Sequence, residues 1–471
     1  MSTPQVEQST TQSDLSVTSV RPDFLPKQQA RQRPASYRDV FAVREFRAVF
    51  LADLFSLLGD QIAAVAIAVL LYERSGSPLL AALGYATAYV PWLLGGPLLA
   101  AWAERFPSRS VLVGCDLGRA ALIGLAALPG LPLPVVGLLV LSAALLAPPF
   151  EAARSALLPQ ILEGDRYPVA MSLRDAVHQS AQLVGFGVGG ALVLVLSAPG
   201  ALALDALTFA VSAVVLRFGL VLRTAAPDQD TTIDVTKNDD GAQNDGARKD
   251  GAQDNEAAPE PAPPSSGGSL WREAMAGLTV IRADRMLSTP LLLGIVGAAY
   301  AIVPEAIAPA YADRLGGDAT AVGLIMAAVA GGSVIGGLAI GRLVAPAMRI
   351  RLIRPLALAG TLPLILVLLR PGLAVSLLLF AITGLASSYQ VAANAMFAQR
   401  LPAAVRARAF GIAITGLYGG QALAIVLAGA AAQFFDPATV IGATGLLGGL
   451  GVLLLPRPAQ HASPARRRHR R

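Results

Sequence analysis

The chain has 471 residues, of which 54% are hydrophobic and only 14% are charged, and its mean hydropathy is +0.57. Soluble domains carry about 25% charged residues, so this composition excludes an ordinary soluble globular protein and indicates a membrane protein. The net charge of +6 would also suit a nucleic-acid-binding protein. Arginines that border apolar segments explain this excess, and we expect no nucleic-acid partner.

The chain begins with a polar segment, Met1–Pro34, that is rich in Ser, Thr and Gln. It lacks the apolar core of a signal peptide, so we expect 1-42 to form a disordered tail and the first apolar segment to act as its own insertion signal. Twelve apolar segments follow, each of about 20 residues, the length that a helix needs to cross a hydrocarbon core. They lie at 46–72, 78–103, 110–130, 134–155, 170–197, 200–222, 287–311, 318–344, 351–370, 373–398, 406–434 and 437–456. The sequence therefore predicts an all-α integral membrane protein with twelve transmembrane helices.

The loops between these segments alternate in charge, and this alternation predicts their orientation. The arginine-rich loops and chain end hold Arg44, Arg47, Arg105, Arg109, Arg154, Arg166, Arg174, Arg342, Arg349, Arg351, Arg354, Arg400, Arg406, Arg408 and Arg466–Arg471. The arginine-poor loops, such as Leu131–Pro134, Ser197–Gly200 and Asp436–Pro437, carry almost no positive charge. Positively charged loops stay in the cytoplasm, so we expect a multi-pass protein of the cell membrane with both termini cytoplasmic.

Residues 224-270 interrupt the apolar pattern after six segments with an acidic stretch rich in Ala, Gly and Pro. Such a composition buries too little apolar surface to fold, so we expect a disordered cytoplasmic linker there and a basic tail at 457-471. A calcium-binding or sensor role for the linker aspartates would require an ordered ligand loop, which its glycines do not reproduce. Cys115 is the only cysteine, which excludes intrachain disulfides and cysteine-based metal sites. We expect no cofactor and no bound metal.

An internal repeat relates the two halves of the chain at a shift of about 240 residues. The aligned positions are Gly95-Gly96 with Gly336-Gly337, Ala152–Arg154 with Ala392–Asn394, and Arg166 with Arg406. Each half, 43-223 and 271-456, contains six segments, so both halves insert in the same orientation. This arrangement predicts two six-helix bundles related by a pseudo-two-fold axis along the membrane normal, with a cleft between them that suits alternating access.

Several motifs carry a resemblance to a known family. Gly95–Leu99, followed by Glu104-Arg105 and Arg109, resembles the loop signature of the major facilitator superfamily. Further motifs resemble its branch of macrolide and enterobactin exporters, namely Asp116 with Arg119, Phe150–Pro159, Asp205–Phe209 and Arg406–Gly411. The resemblance implies a monomeric, proton-coupled exporter of a small amphipathic organic compound, such as an antibiotic, a siderophore or another secondary metabolite.

The direction of transport depends mainly on this resemblance. Exporters of the superfamily commonly have a Gly-Pro pair in the fifth span, whereas Gly185–Gly190 contains no proline. An importer and a non-transporting ligand sensor therefore stay open as alternatives. An enzyme is not expected, because the chain has no Walker motif, no Gly-x-Ser-x-Gly elbow and no His-Glu-x-x-His pair.

The resemblance also implies a gating region at the arginine-rich side. Its residues are Gly96, Glu104, Arg105, Arg109, Asp116, Arg119 and Arg154. In the family, a carboxylate near the position of Glu104 latches one global state against the N-terminus of the eleventh span; the family usually has Asp there. A purely topological role for these charges is the alternative. Asp116 is expected to pair with Arg119, which is three residues away on one helical face, or with the preceding basic turn.

Ionisable side chains within membrane spans are costly and are therefore candidate functional groups. We predict that Asp60 couples transport to protons, with Asp53, seven residues earlier on nearly the same helical face, and Glu305 as further candidates. A permanent interhelical hydrogen bond is the alternative for Asp60. Glu305 follows Pro304 in a predicted kink, and solvation near the membrane surface is its alternative. Asp205 is expected to be a packing residue.

Polar side chains within the spans are candidates for lining a central cavity that binds a small-molecule substrate. They are Gln179, Gln182, Tyr389, Gln390, Asn394, Tyr418 and Gln421. Interhelical hydrogen bonds are the alternative for each of them. Aromatic residues make up only 6% of the chain, so the sequence does not predict an aromatic cage for a cation.

Overall fold

The computed structural model describes residues 36–94, 105–162, 164–223, 279, 285–401 and 403–456, and no strand occurs within these ranges. The helices of the first half are α1 (Tyr37–Phe41), α2 (Arg44–Ser75), α3 (Pro78–Ala86), α4 (Val90–Leu94), α5 (Ser108–Ala126), α6 (Leu133–Ala144), α7 (Ala147–Ile161) and α8 (Arg166–Gly219). Those of the second half are α9 (Arg285–Ala301), α10 (Val303–Ala306), α11 (Ala308–Arg314), α12 (Ala319–Leu343), α13 (Pro346–Ala359), α14 (Thr361–Leu366), the 3-10 turn Val367–Leu369, α15 (Leu373–Ser387), α16 (Tyr389–Arg400), α17 (Ala403–Ala431) and α18 (Pro437–Leu454). The linker, most of the N-terminal tail and the basic C-terminal tail lie outside the described residues.

Within the described ranges, nine helical segments are long and apolar enough to cross a membrane. α8 covers the fifth and sixth predicted spans, which meet at Ser197, where the backbone leaves the helical region (φ 65°, ψ 166°). The second predicted span runs past the described residues, and α5, the third, carries three charged side chains, Arg109, Asp116 and Arg119. The predicted all-helical membrane fold is confirmed, and these segments are consistent with twelve crossings.

The segment before the first span was expected to be disordered up to residue 42, but its last part is helical. α1 is a helix, and the backbone N–H of Ser36 donates to the Asp39 carboxylate (2.8 Å) at its start. The Phe41 ring lies 5.7 Å from that of Phe46 and 5.0 Å from that of Phe50. The expectation fails here because these aromatic contacts anchor the segment to α2.

The seventh predicted span is broken twice in its middle, which confirms the predicted kink. α9, α10 and α11 are separated at Ile302 and Ile307, and Pro304 and Pro309 stand in the first turns of α10 and α11. Proline lacks the N–H that would continue the helical ladder. The break places Glu305 in the short α10, deep within the molecule.

The two halves meet mainly where α8 packs against α12 and α3 against α17, and smaller contacts join α4 with α17, α2 with α11 and α12, and α3 with α10 and α11. At the arginine-poor end, Tyr72 Oη donates to Asp313 Oδ2 (3.0 Å), and the side chains of Gln433 and Ser77 are hydrogen-bonded. Between α8 and α12, Gly190 crosses directly over Gly323. The halves are therefore closed against each other at the arginine-poor end.

Towards the arginine-rich end, the same helices present exposed residues. In α8 these include His178, Gln179 and Ser180, and in α12 they include Ile335 and Leu338. The contact between the two helices extends from Gly190 and Gly323 as far as Leu183 and Gly331.

Candidate transport site

A network of two acids and two arginines lies on the arginine-rich side of the first half. Arg154, in α7, forms ion pairs with Asp53, in α2, and with Glu151, one turn earlier in α7. Arg174, in α8, contacts Glu151 (3.2 Å) and Asp53 (3.6 Å). Only 3% of the Arg154 side chain is exposed. Because two carboxylates face two guanidinium groups, the network is balanced in charge, which offsets the cost of burying it.

Asp60 lies two turns further along α2 and is exposed, although it stands in the middle of that helix. Its neighbour Gly59 faces the buried Asp205 of α8. A Cβ on Gly59 would lie 2.2 Å from Asp205 Oδ1 and from Thr208 Oγ1, so only glycine lets these polar atoms lie directly against α2. Asp60 is thus an accessible acid beside a buried one, and the Arg119 guanidinium lies within electrostatic range of both.

The predicted pairing of Asp116 with Arg119 is not formed. Asp116 is fully buried and accepts a hydrogen bond from Ser212 Oγ, whereas its other carboxylate oxygen has no partner. The Arg119 guanidinium lies over the rings of Phe150 (5.5 Å) and Phe209 (5.2 Å). The aromatic faces attract the cation and compete with the neighbouring carboxylate.

The acid of the second half has a different environment. Glu305 is 3% exposed, and its Oε2 accepts a hydrogen bond of 2.6 Å from Tyr85 Oη of α3. Among the described residues it forms no ion pair with a basic side chain. The Tyr85–Glu305 bond joins the two halves near the middle of the molecule, and this burial differs from the solvated position that was the alternative.

Four aromatic rings extend from Glu305, and we call them the aromatic wall: Tyr85, Tyr89, Trp92 and Tyr418. Tyr85 and Tyr89 are 6.0 Å apart between ring centroids, Tyr89 and Tyr418 are 5.8 Å apart, and Trp92 stacks on Tyr418 at 5.6 Å. Tyr89, Trp92 and Tyr418 are half-buried. Three of the rings belong to the first half and Tyr418 to the second, so the wall spans the interface between the halves.

The family is decided by comparison with known proteins, because residues 49–388 match the Major Facilitator Superfamily. The chain belongs to the major facilitator superfamily. An uncharacterized MFS-type transporter of Bacillus subtilis (strain 168), YkuC, is 26% identical over 183 residues, which cover 38% of this chain and 42% of that protein. The chain thus matches less than half of that relative's length.

Solved transporters of low sequence identity share the fold. A bacterial homolog of the human lysosomal transporter Spinster, crystallised in an inward-facing and occupied conformation, is 12% identical with a TM-score of 0.62 and covers 90% of this chain and 98% of its own. A bacterial homologue of the iron transporter ferroportin in an inward-facing state is 13% identical (TM-score 0.59; 89% and 99%). A peptide transporter in complex with sulfate is 12% identical (TM-score 0.63; 90% and 95%).

Of the superfamily loop signature, Gly96 and Glu104 lie outside the described residues. Arg105 is exposed, and the Arg109 guanidinium donates to the backbone carbonyl of Arg217. Arg217 lies in the last turn of α8, where the helix dipole favours a cation. Arg109, in the first turn of α5, therefore joins α5 to the end of α8 within the first half. Arg154, also assigned to the gating region, lies in the charge network.

The candidate cavity residues differ in their exposure and divide into three groups. Gln179 and Asn394 are exposed, and Gln182, Gln390, Tyr418 and Gln421 are half-buried. Tyr389 is fully buried instead of lining a cavity, and its hydroxyl donates to the carbonyl of Leu293 (2.8 Å). It fits there because Gly297 lacks a side chain; a Cβ on that glycine would lie 1.7 Å from the hydroxyl.

A second ionic cluster lies outside the spans, at the arginine-poor end. Asp436 Oδ2 is 2.9 Å from Arg314 Nε and 3.7 Å from Arg370 Nη2, and Oδ1 accepts from the backbone N–H of Ala438 at the start of α18. Partial burial raises the pKa of Asp436, but the hydrogen bonds and the arginine charges outweigh it and hold this pKa below its usual value.

The sequence reasoning missed several residues of the site. Glu151 precedes Arg154 by three positions in α7, a spacing that pairs side chains on a helix, and Tyr85 and Tyr89 are four positions apart. These spacings were available signals. No signal within the sequence brings Tyr418 to Trp92, because the two residues lie in different halves of the chain. Among the described residues, no three His, Cys, Asp or Glu side chains come together as a metal site.

Proposed function

We propose that this transporter is a proton-coupled secondary exporter of a small amphipathic organic compound, working by alternating access. The observation that carries the proposal is the closure of the two halves at the arginine-poor end, above exposed polar residues at the arginine-rich end. The positive-inside rule assigns the arginine-rich end to the cytoplasm. In that orientation the contacts that close the halves lie on the outer side, as expected for the state in which an exporter collects its substrate from the cytoplasm.

Proton coupling is proposed at Asp60. Its side chain is accessible, whereas Asp53, on the same face of α2, is held by Arg154. An acid that faces a cavity of changing wetness gains a proton when it is desolvated and loses it when it is hydrated. The ion-paired Asp53 is less suited to this role, because protonation would leave the guanidinium groups of Arg154 and Arg174 with a single carboxylate, that of Glu151.

Export direction is supported by the motifs that resemble the macrolide and enterobactin exporters. The monomeric state and the location in the cell membrane belong to the same proposal. An importer with the same geometry is the alternative, and the direction of accumulation in vesicles separates the two.

The test begins with a susceptibility panel of drugs and metabolites in cells that lack or overexpress the protein. A compound selected in this way is then followed in inside-out membrane vesicles, with and without an uncoupler. We expect wild type to accumulate the compound uphill, and Asp60→Asn to lose uphill transport while retaining exchange down a gradient. Asp175→Asn is the matched control, because Asp175 is an exposed acid elsewhere on the arginine-rich side. Uncoupler-sensitive accumulation by Asp60→Asn would show that Asp60 is structural.

A further inference from the structure

The acids of the two halves differ in how their charge is balanced. In the first half, Asp53 and Glu151 face Arg154 and Arg174. In the second half, Glu305 is almost completely buried and receives only a neutral donor, the Tyr85 hydroxyl. An ionised carboxylate buried without a cation is strongly destabilising. Glu305 therefore requires either a proton or a positive charge that arrives with a ligand.

The surroundings of Glu305 are suited to the second possibility. The aromatic wall extends from the carboxylate through three successive ring contacts of 6.0 Å or less between centroids. The faces of tyrosine and tryptophan rings attract cations and stack on planar apolar groups. Gln421 is half-buried and follows Tyr418 by three positions in α17, a spacing that places the two side chains on one helical face.

We propose that Glu305 and the aromatic wall form a binding site for planar aromatic monocations, with the carboxylate pairing with the positive nitrogen. The rings of Tyr89, Trp92 and Tyr418 cover the planar body. A bound ammonium or ring N–H replaces the hydrogen bond that Tyr85 donates. Planar aromatic monocations are then the substrate class of the proposed exporter. Their transport rests on the exporter proposal, whereas their binding at this site can be tested without it.

A proton and the cation compete for the same carboxylate in this site. The titratable groups that face Glu305 are Tyr85 and Tyr89, both neutral at physiological pH. No arginine, lysine or histidine among the described residues pairs with it. Affinity for a permanently charged ligand should therefore fall as the pH falls, and an anion of the same shape should be excluded.

Binding is measured on the purified full-length protein in detergent by quenching of ligand fluorescence. The probes are 9-aminoacridine, a planar cation between about pH 5.5 and about pH 8, and anthracene-9-carboxylate, an anion with three fused rings of the same shape. We expect only the cation to bind. Its affinity should fall by about tenfold as the pH is lowered across this range, since one carboxylate, that of Glu305, titrates. Glu305→Gln should weaken binding at pH 8 by about tenfold or more and remove the pH dependence.

Variants of the wall give the second measurement. Trp92→Ala should weaken binding several-fold and Trp92→Phe should restore most of it, because the stacking face is retained; Asp175→Asn is the control for charge loss at a distance. Equal affinity for both probes, pH-independent binding by wild type, or unchanged binding by Glu305→Gln would each overturn the inference. If a variant fails to fold, the pH dependence of binding by the wild-type protein still tests the inference. Binding without uphill transport would refute the exporter proposal and leave this inference intact.

Discussion

The crossing of Gly190 and Gly323 makes a specific prediction about the closed arginine-poor end. A Cβ on Gly323 would lie 2.5 Å from the carbonyl oxygen of Phe186, 2.7 Å from Gly190 Cα and 2.8 Å from Gly190 N. All three neighbours are backbone atoms, so no rotamer change relieves the overlap. Gly323→Ala therefore forces α8 and α12 apart, and overpacking of this kind costs about 1–3 kcal/mol.

This cost falls only on the state in which the two helices touch. When the arginine-poor end opens, the crossing separates and the added methyl group is tolerated. The equilibrium should therefore shift towards the open arginine-poor end by about 5- to 150-fold. Gly187→Ala is the matched control, because it lies on the same face of α8 but its Cβ would meet only Ala327 Cβ, at an ordinary 3.9 Å.

The assay is a distance measurement by double electron–electron resonance between spin labels at Glu73 and Phe434, both exposed near the arginine-poor end. Cys115 is first replaced by Ser so that it takes no label. We expect the longer distance to gain population in Gly323→Ala and the wild-type distribution to persist in Gly187→Ala. Identical distributions in wild type and Gly323→Ala would refute the argument that this crossing limits closure.

Two further predictions concern charged residues at opposite ends of the molecule. We propose that Arg105 and Arg109 stabilise one global state, so Arg109→Ala, and likewise Arg105→Ala, should slow transport while leaving insertion and ligand binding largely intact. Unchanged transport rates in both variants would return the arginines to a purely topological role. Asp436→Asn keeps the cap of α18 but removes the charge facing Arg314, so thermal unfolding in detergent at pH 7 should show a loss of less than about 1 kcal/mol. Folding lowers the pKa of Asp436. Its contribution to the free energy of unfolding is therefore complete above the pKa of the unfolded state, about 3.9, and is lost as the pH falls through the lower pKa of the folded state. The two proteins should therefore converge in strong acid, and a difference that persists there would show that the carboxylate acts by packing.

The membrane fold could be predicted because its signals are repeated along the whole chain. Three features indicate the same architecture many times over: the length of the apolar segments, the arginines in alternate loops, and the internal repeat. The break beside Pro304 was also predictable, since proline cannot donate the hydrogen bond that continues a helix. The helix α1 was missed because it depends on rings of the next helix, Phe46 and Phe50, and has no long apolar pattern of its own.

The details of the site depend on contacts between distant parts of the chain. Asp53 was predicted as a functional acid from its position in a span. Its partner Arg154 lies 101 residues away, and the sequence around Arg154 indicates only a charge at the membrane boundary. In the same way, the aromatic content of 6% gives no indication that Trp92 and Tyr418 stack. Composition describes the average over the chain, whereas a binding site depends on where a few side chains converge.

The side-chain hydrogen bonds that join the halves at the arginine-poor end, in addition to the α8–α12 crossing, are individually weak. Tyr72 with Asp313 and Gln433 with Ser77 are exposed hydrogen bonds, each worth about 0.5–1.5 kcal/mol. The bond between Tyr85 and Glu305 is the buried one, and it also joins the halves. A ligand or proton shifts a two-state equilibrium only by its difference in affinity for the two states. Because the Glu305 carboxylate is itself part of the contact between the halves, we expect a change in its charge, by a proton or by the proposed ligand, to alter the stability of the closed state.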